Sequence, residues 1–266
     1  MRPVPEMYRG LWRRRLLETP ALVDRRTTVY WLQTASLYAD LRIPADRGRR
    51  GRLARMTHSG LRALARQQGF AGALDVDGDM LSWRRWLDYQ PAGAPDVGRV
   101  RFDGPLLVEH GVHAAYREEW QRVQAAGDDC LALALEEELA PDRCRRERAG
   151  VLVALEGYFM IALARPEPLP PAADLAALVD SEAFTIDARR RFLNCAIELG
   201  VRHAGGRWEL QLSTLPHHEG LGFREVHGSW RRDGAGHYLQ SSPCGARRRW
   251  RVLEQGRRFR GLAGTK

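Results

Sequence analysis

The sequence predicts a mainly β protein of two tandem antiparallel barrels, each carrying one short helix. Three observations lead there. Short runs alternate apolar and polar residues, with glycine-containing turn signals between them along most of the chain. Apolar residues recur at helical spacing in only a few short stretches. The order of elements met in the first half also begins again after residue 148, and an antiparallel meander loses its exposed edges by closing on itself.

Residues 1–26 read as an irregular N-terminal arm with one helical turn around 11–17. A hairpin of residues 29–33 and 36–43 follows, stopped by Pro44. Residues 58–68 fit a helix, with Leu61, Leu64 and Ala65 on one side, Ser59 as cap and Gly69 as stop. Strands at 70–76 and 80–89 flank Asp77-Gly78, and strands at 97–102 and 106–110 flank Asp103-Gly104. Residues 113–123 and 130–137 complete the first set. The stretch 139–148, with Pro141 and four arginines, marks the expected boundary. Beyond it come strands at 150–155 and 158–164, a proline-rich stop at 166–171, a helix at 174–179, and strands at 184–186, 191–201, 207–215, 222–231, 237–240 and 248–254. The expected division is an arm at 1–26, a first barrel at 27–145 and a second at 146–266, related by internal duplication.

Composition narrows the function classes. The hydrophobic fraction of 44% suits a globular chain. No apolar run reaches the roughly 18 residues that span a bilayer, and the N-terminus lacks the apolar core of a secretion signal. The expected location is cytoplasmic, without a membrane partner. Cys130, Cys144, Cys195 and Cys244 are far apart and lack C-x-x-C spacing, so no zinc site or disulfide framework is expected. The net charge is +9, and Lys266 is the only lysine. Arginine clusters, among them 47–55 and 247–260, would suit phosphate or carboxylate. No zinc finger, RRM signature or helix-turn-helix accompanies them, and specific nucleic-acid recognition is not predicted. Nor is there a Walker loop, a G-x-G-x-x-G or a G-x-S-x-G elbow, so no cofactor is expected.

The two-barrel layout, the early helix and the opening hairpin resemble the calycin (lipocalin-like) superfamily, in particular its tandem-barrel members from fungi. The motif W-L-Q-T-x-S-L-Y-A-D-L-R-I-P at residues 31–44 resembles a signature of poorly characterised bacterial proteins. The resemblance implies lipocalin-like barrels and a cup for a small apolar molecule, with no universal catalytic residues. The lipocalin G-x-W signature near the N-terminus is read as absent.

The first half concentrates polar side chains on its strands. Along 36–43, Leu37, Ala39, Leu41 and Ile43 alternate with Ser36, Tyr38, Asp40 and Arg42. Along 80–90, Trp86 and Asp88 share one face with Arg84 and Gln90. Along 113–123, Tyr116, Glu118 and Trp120 share another, and His113 follows Gly111. Such rows fit a solvated outer face or, in an eight-stranded barrel, the lumen. In the lumen, Tyr38, Arg42, Trp86, Tyr116 and Trp120 would bind a small apolar or aromatic molecule. The alternative is a cofactor-independent isomerase, cyclase or lyase using Asp40, Asp88, Glu118 and His113 for acid–base chemistry. A third reading is a scaffold whose arginine-rich loops bind an acidic partner. His110/His113 and His217-His218 are candidate metal ligands without a metalloprotease spacing, and no metal is assigned. In the second hairpin Tyr158, Met160, Ala162 and Ala164 are taken to match the Tyr-Asp-Arg row.

Overall fold

The computed structural model describes residues 2–48, 51–91, 93–234, 236–259 and 261–262. Arg49 and Arg50 of the first arginine cluster, Arg260 and Lys266 lie outside the described residues. The first sheet comprises β1 (Gly10–Thr19), β2 (Leu22–Asp24), β3 (Thr28–Gln33), β4 (Tyr38–Ile43), β5 (Gln68–Asp77), β6 (Met80–Asp88), β7 (Asp96–Asp103), β8 (Leu106–Gly111) and β9 (Arg117–Ala125). Pairing of β1 with both β3 and β9 closes eight of these strands into an antiparallel barrel, with β2 attached to β1 as a hairpin. The second sheet comprises β10 (Leu131–Leu139), β11 (Arg145–Arg146), β12 (Gly150–Ala154), β13 (Tyr158–Leu163), β14 (Ala196–Arg202), β15 (Trp208–Ser213), β16 (Ser229–Arg232), β17 (His237–Ser241) and β18 (Arg247–Gln255). It curls into a half-barrel, open between β15 and β16.

The segment expected as an arm is therefore the strand that closes the first barrel. Its alternation is masked because Arg13 and Arg15 face solvent while the intervening Arg14 is buried inside. The stretch 130–137, expected to end the first unit, begins the second sheet, where β10 pairs with β12 and β18. The change of sheet falls between β9 and β10. The expected divider at 139–148 lies within the second sheet, where β11 pairs with β10.

The helix α1 (His58–Ala65) buries Leu61, Leu64 and Ala65 and is capped by Thr57, whose hydroxyl accepts from the Gly60 amide at 3.4 Å. Residues 174–180 give α2 (Leu175–Asp180), capped by Asp174. Two further helices depart from expectation: α3 (Ile186–Phe192) spans the gap between the strands expected at 184–186 and 191–201 and takes in their adjoining ends, and α4 (Phe223–His227) lies in the strand expected at 222–231.

The two sheets repeat one another in detail. Each begins with a strand that carries an appended hairpin strand, pairs with the next strand and pairs with the last. The β1–β9 register shifts at Leu11/Trp12 and Arg14/Leu16, and the β10–β18 register shifts at Ala132/Leu133 and Leu135/Glu137, at matching steps. The β5–β6 bulge opposite Gly72 recurs in β14–β15 opposite Gly200. Both positions need glycine: an added Cβ would lie 2.0 Å from the Arg84 carbonyl oxygen at Gly72, and 2.2 Å from Phe159 at Gly200.

What joins the halves is the apolar row of the first hairpin. Leu37, Ala39, Leu41 and Ile43 point out of the first barrel and are buried with Val151, Val153, Met160 and Ala162 of the second sheet. The opposite row, with Tyr38 and Asp40, points into the barrel. This alignment corrects the expected match in the second hairpin. Tyr38, Asp40 and Arg42 correspond to Phe159, Ile161 and Leu163, all buried in the second core, and not to Tyr158 and its row.

Candidate functional site

The lumen of the first barrel is filled by side chains of two kinds. Trp12, Trp31, Trp83 and Trp120 form an aromatic layer, with Trp31 stacked on Trp12 and edge-on to Trp83 and Trp120 at centroid distances of 5.9–6.1 Å. Outside this layer, Arg122 of β9 lies 4.5 Å from the Trp12 ring and donates to the Met7 carbonyl of the 3₁₀ turn Glu6–Tyr8.

Beside the tryptophans is a cluster of buried charges. The guanidinium of Arg42 donates to Asp40 at 2.8 Å and to Glu118 at 3.3 Å. Arg14 donates to the same Glu118 oxygen at 2.7 Å and to Asp24 at 2.9 Å. Glu109 accepts from the Tyr116 hydroxyl at 2.7 Å and from Trp120 Nε1 at 3.1 Å. It faces Glu118 across the β8–β9 pair, and it fits because the neighbouring strand β7 carries Gly98: a Cβ there would sit 2.7 Å from its Oε1. Burial, then the nearby Glu118 charge, pushes the Glu109 carboxyl up to about 8. Burial also raises Asp40, although Arg42 opposes the shift.

At the barrel mouth, Arg85 donates to Asp88 at 2.6 Å and to Asp96 at 2.5 Å, with its guanidinium 3.8 Å from the centre of the Phe70 ring. These residues border a cleft of about 350 Å³ lined by Trp83, Arg85, Trp86, Asp88 and the 93–96 segment. The Tyr38 hydroxyl is fully buried and has no hydrogen-bond partner among the described residues. After burial, the charges acting most on it are those of Arg85, Asp40, Asp96 and Asp88. Three of those four residues line the cleft.

The fold thus brings Tyr38, Asp40, Arg42, Glu118 and Trp120 together inside the barrel, with Tyr116 and Asp88 at its rim. Trp86 departs from this group. It is the extra residue of the β6 bulge and is 40% exposed at the cleft edge. The same bulge switches the strand's faces, so Arg85 and Asp88, expected on opposite faces, meet. His113 is exposed in the turn between β8 and β9 and does not join the cluster. Among the described residues, no group of three or more His, Cys, Asp or Glu side chains is arranged to hold a metal ion, and no helix is long and apolar enough to cross a membrane.

Sequence reasoning missed Arg14, Arg85, Glu109 and Asp96 as cluster members. Arg14 was hidden by the arginine triplet and Arg85 by the bulge. Glu109 stood beside His110 and Gly111 in a short strand without clear alternation. For Asp96, at the end of a proline-rich loop, no sequence signal points inward.

No family model matches the chain, and no curated protein matches it. A solved structure does: the uncharacterized protein YLR301w from Saccharomyces cerevisiae superposes with a TM-score of 0.52 at 14% identity, covering 92% of this chain and 98% of that one. At that identity the likeness concerns the fold alone.

Proposed function

We propose that the mouth of the first barrel binds a small aromatic or apolar molecule, with the polar cluster below it fixing the ligand's orientation. The observation that carries this reading is the Tyr38 hydroxyl, buried without a partner among the described residues, beside a cleft lined by Trp83, Trp86, Arg85, Asp88 and Asp96. A buried hydroxyl left unpaired costs about 1–3 kcal/mol, and a ligand heteroatom or a water beneath the ligand would relieve it. Rigid aromatic walls with a few convergent polar groups suit a planar ligand. Because tryptophans fill the deeper lumen, the ligand sits at the mouth.

On this reading the chain is a tandem-barrel calycin. Supporting it are the closed eight-stranded barrel and Gly10-Leu11-Trp12, a G-x-W at the start of β1 in the segment read as an arm. All four cysteines are unpaired, in keeping with a reducing cytoplasmic setting.

One observation favours the enzymatic alternative. Glu109, with a raised pKa and a hydrogen bond from the rim residue Tyr116, has the character of a general acid relayed to the mouth.

Native mass spectrometry of freshly purified protein tests for a retained ligand. Titration with 1-anilinonaphthalene-8-sulfonate should show one saturable site, weakened about tenfold by Trp86→Ala and altered by Tyr38→Phe. Binding that is absent, or indifferent to both substitutions, refutes the assignment.

A further inference from the structure

The second half has a separate polar centre, at the place that corresponds to the mouth of the first barrel. There the first barrel has Phe70 opposite Asp88, and the second sheet has Glu198 opposite Ser213. The connection after β6 lines the first cleft. The connection after β15 is longer and spans the open side of the sheet to β16, and it carries the 3₁₀ turn Pro216–His218 and α4. It brings two histidines onto Glu198.

The Glu198 carboxylate is wholly buried and fully engaged. One oxygen accepts from Ser213 Oγ at 2.7 Å and lies 2.7 Å from His218 Nδ1; the other lies 2.5 Å from His227 Nε2. Burial alone would raise its pKa. The His227 charge and the hydrogen bonds from His218 and His227 instead hold it well below the usual carboxylate range. A structural tie is complete with Ser213 and His227, both buried. His218 differs: its side chain is 18% exposed and lines a cleft of about 520 Å³ with Arg52, Arg190, Arg191 and His217. With Nδ1 committed to the carboxylate, the ring is oriented and Nε2 is the atom left for a ligand. Nε2 has no protein partner among the described residues.

The rest of the cleft selects for an anion. Its one acid, Asp187, is engaged by Arg190 at 2.9 Å. Arg52 and Arg191 have no carboxylate partner among the described residues. His217 lies edge-on to His218 with ring centres 4.3 Å apart, and its Nδ1 is buried without a hydrogen-bond partner among the described residues. Burial, His218 and Arg52 together lower the His217 pKa to about 4, so its ring is a neutral hydrogen-bonding group near pH 7. Leu53 and Leu215 supply apolar wall beside these polar groups.

We infer that this cleft binds a phosphate monoester, its oxygens held by Arg52 and Arg191 and by hydrogen bonding to Nε2 of His218, and its organic group lying against Leu53 and Leu215. Glu198 is a positioning residue that fixes the His218 ring. Two planar guanidinium forks and one imidazole nitrogen match the three oxygens of such a group.

The test is calorimetric titration of the full chain with phenyl phosphate at low salt, with acetate as reference anion. One site is expected, with affinity well above that for acetate and weakened about tenfold by His218→Gln and by Arg191→Gln. Arg191 is an exposed side chain whose replacement leaves the unfolding midpoint nearly unchanged, and in His218→Gln the new amide can still donate to Glu198. Glu198→Gln, if folded, should weaken binding similarly. Arg25→Gln with Arg26→Gln, exposed in the connection between β2 and β3 of the first barrel, should leave it unchanged. Equal loss in that control pair, or no loss in His218→Gln, would reduce the binding to general attraction by a basic chain and overturn the proposal, as would an absence of heat. Sedimentation with phosphatidylcholine–phosphatidic acid vesicles identifies the source of the ester. Co-sedimentation lost in His218→Gln assigns a lipid headgroup, and its absence alongside phenyl phosphate binding assigns a soluble ester.

Discussion

Glu118 is the keystone of the buried charge cluster, and Glu118→Gln measures what that cluster is worth. The carboxylate bridges Arg14 at 2.7 Å and Arg42 at 3.3 Å, and the Arg14 and Glu118 side chains are only 4% and 3% exposed. Removing one member of a buried ion pair typically costs about 3–5 kcal/mol, because a charge is left in a poor dielectric. Here neither arginine is wholly stranded: Arg14 keeps Asp24 at 2.9 Å and Arg42 keeps Asp40 at 2.8 Å. The lower end, about 3 kcal/mol, is therefore expected. For a chain of this size that corresponds to roughly 6–12 °C in Tm. Urea unfolding followed by tryptophan fluorescence and by far-ultraviolet circular dichroism gives the number. The double variant Arg14→Gln, Glu118→Gln should recover part of the loss, since the penalty comes from the stranded charge. A single-variant loss below about 1 kcal/mol with an unchanged denaturant slope would refute the reasoning, because the guanidiniums would then be solvated rather than buried.

Three further outcomes are expected. Glu109 has a folded pKa near 8 against an ordinary value of 4.5, so the folded state holds a proton that the unfolded chain loses in that window, and stability falls as pH rises through it. Glu109→Gln should therefore become progressively more stable than the parent from about pH 4.5 to 8 and then hold a constant advantage, as read from urea midpoints across pH. Gly72→Ala places a Cβ 2.0 Å from the Arg84 carbonyl oxygen and 2.9 Å from the Trp86 amide, both backbone atoms of the bulge. A loss of about 1–3 kcal/mol is expected from chemical denaturation. Ala162→Glu inserts a carboxylate into the fully buried contact between the sheets, and limited proteolysis should then cut both halves faster rather than the second alone.

Much of the architecture was legible. Alternation and turn chemistry mark most strands, and the repeated element order anticipates two sheets that share even their bulges. The parts that were not legible have local causes. β1 was missed because one arginine of three points inward, and a period-two pattern cannot show which. The same reading passed over Gly10-Leu11-Trp12, which is plain in the sequence once β1 is recognised. The segments of α3 and α4 are too short to establish helical periodicity. In the site, the Tyr38–Asp40–Arg42 row could be read as a row, but its side of the sheet could not. Both rows are buried: one faces the lumen and the other faces the second sheet. Pairings such as Glu109 with Tyr116, or Glu198 with His218 and His227, depend on chain crossings that no spacing encodes.

In a free-standing barrel the interior must supply the apolar burial that folds it, which limits how polar that interior can become. Here a large share of that burial lies outside the first barrel, on the wall it shares with the second sheet. The first interior thereby has to supply less of it and has room, beside its tryptophans, for Arg14 and Arg42 and their carboxylates. The same arrangement ties the two halves together: neither could be removed without exposing that wall to solvent.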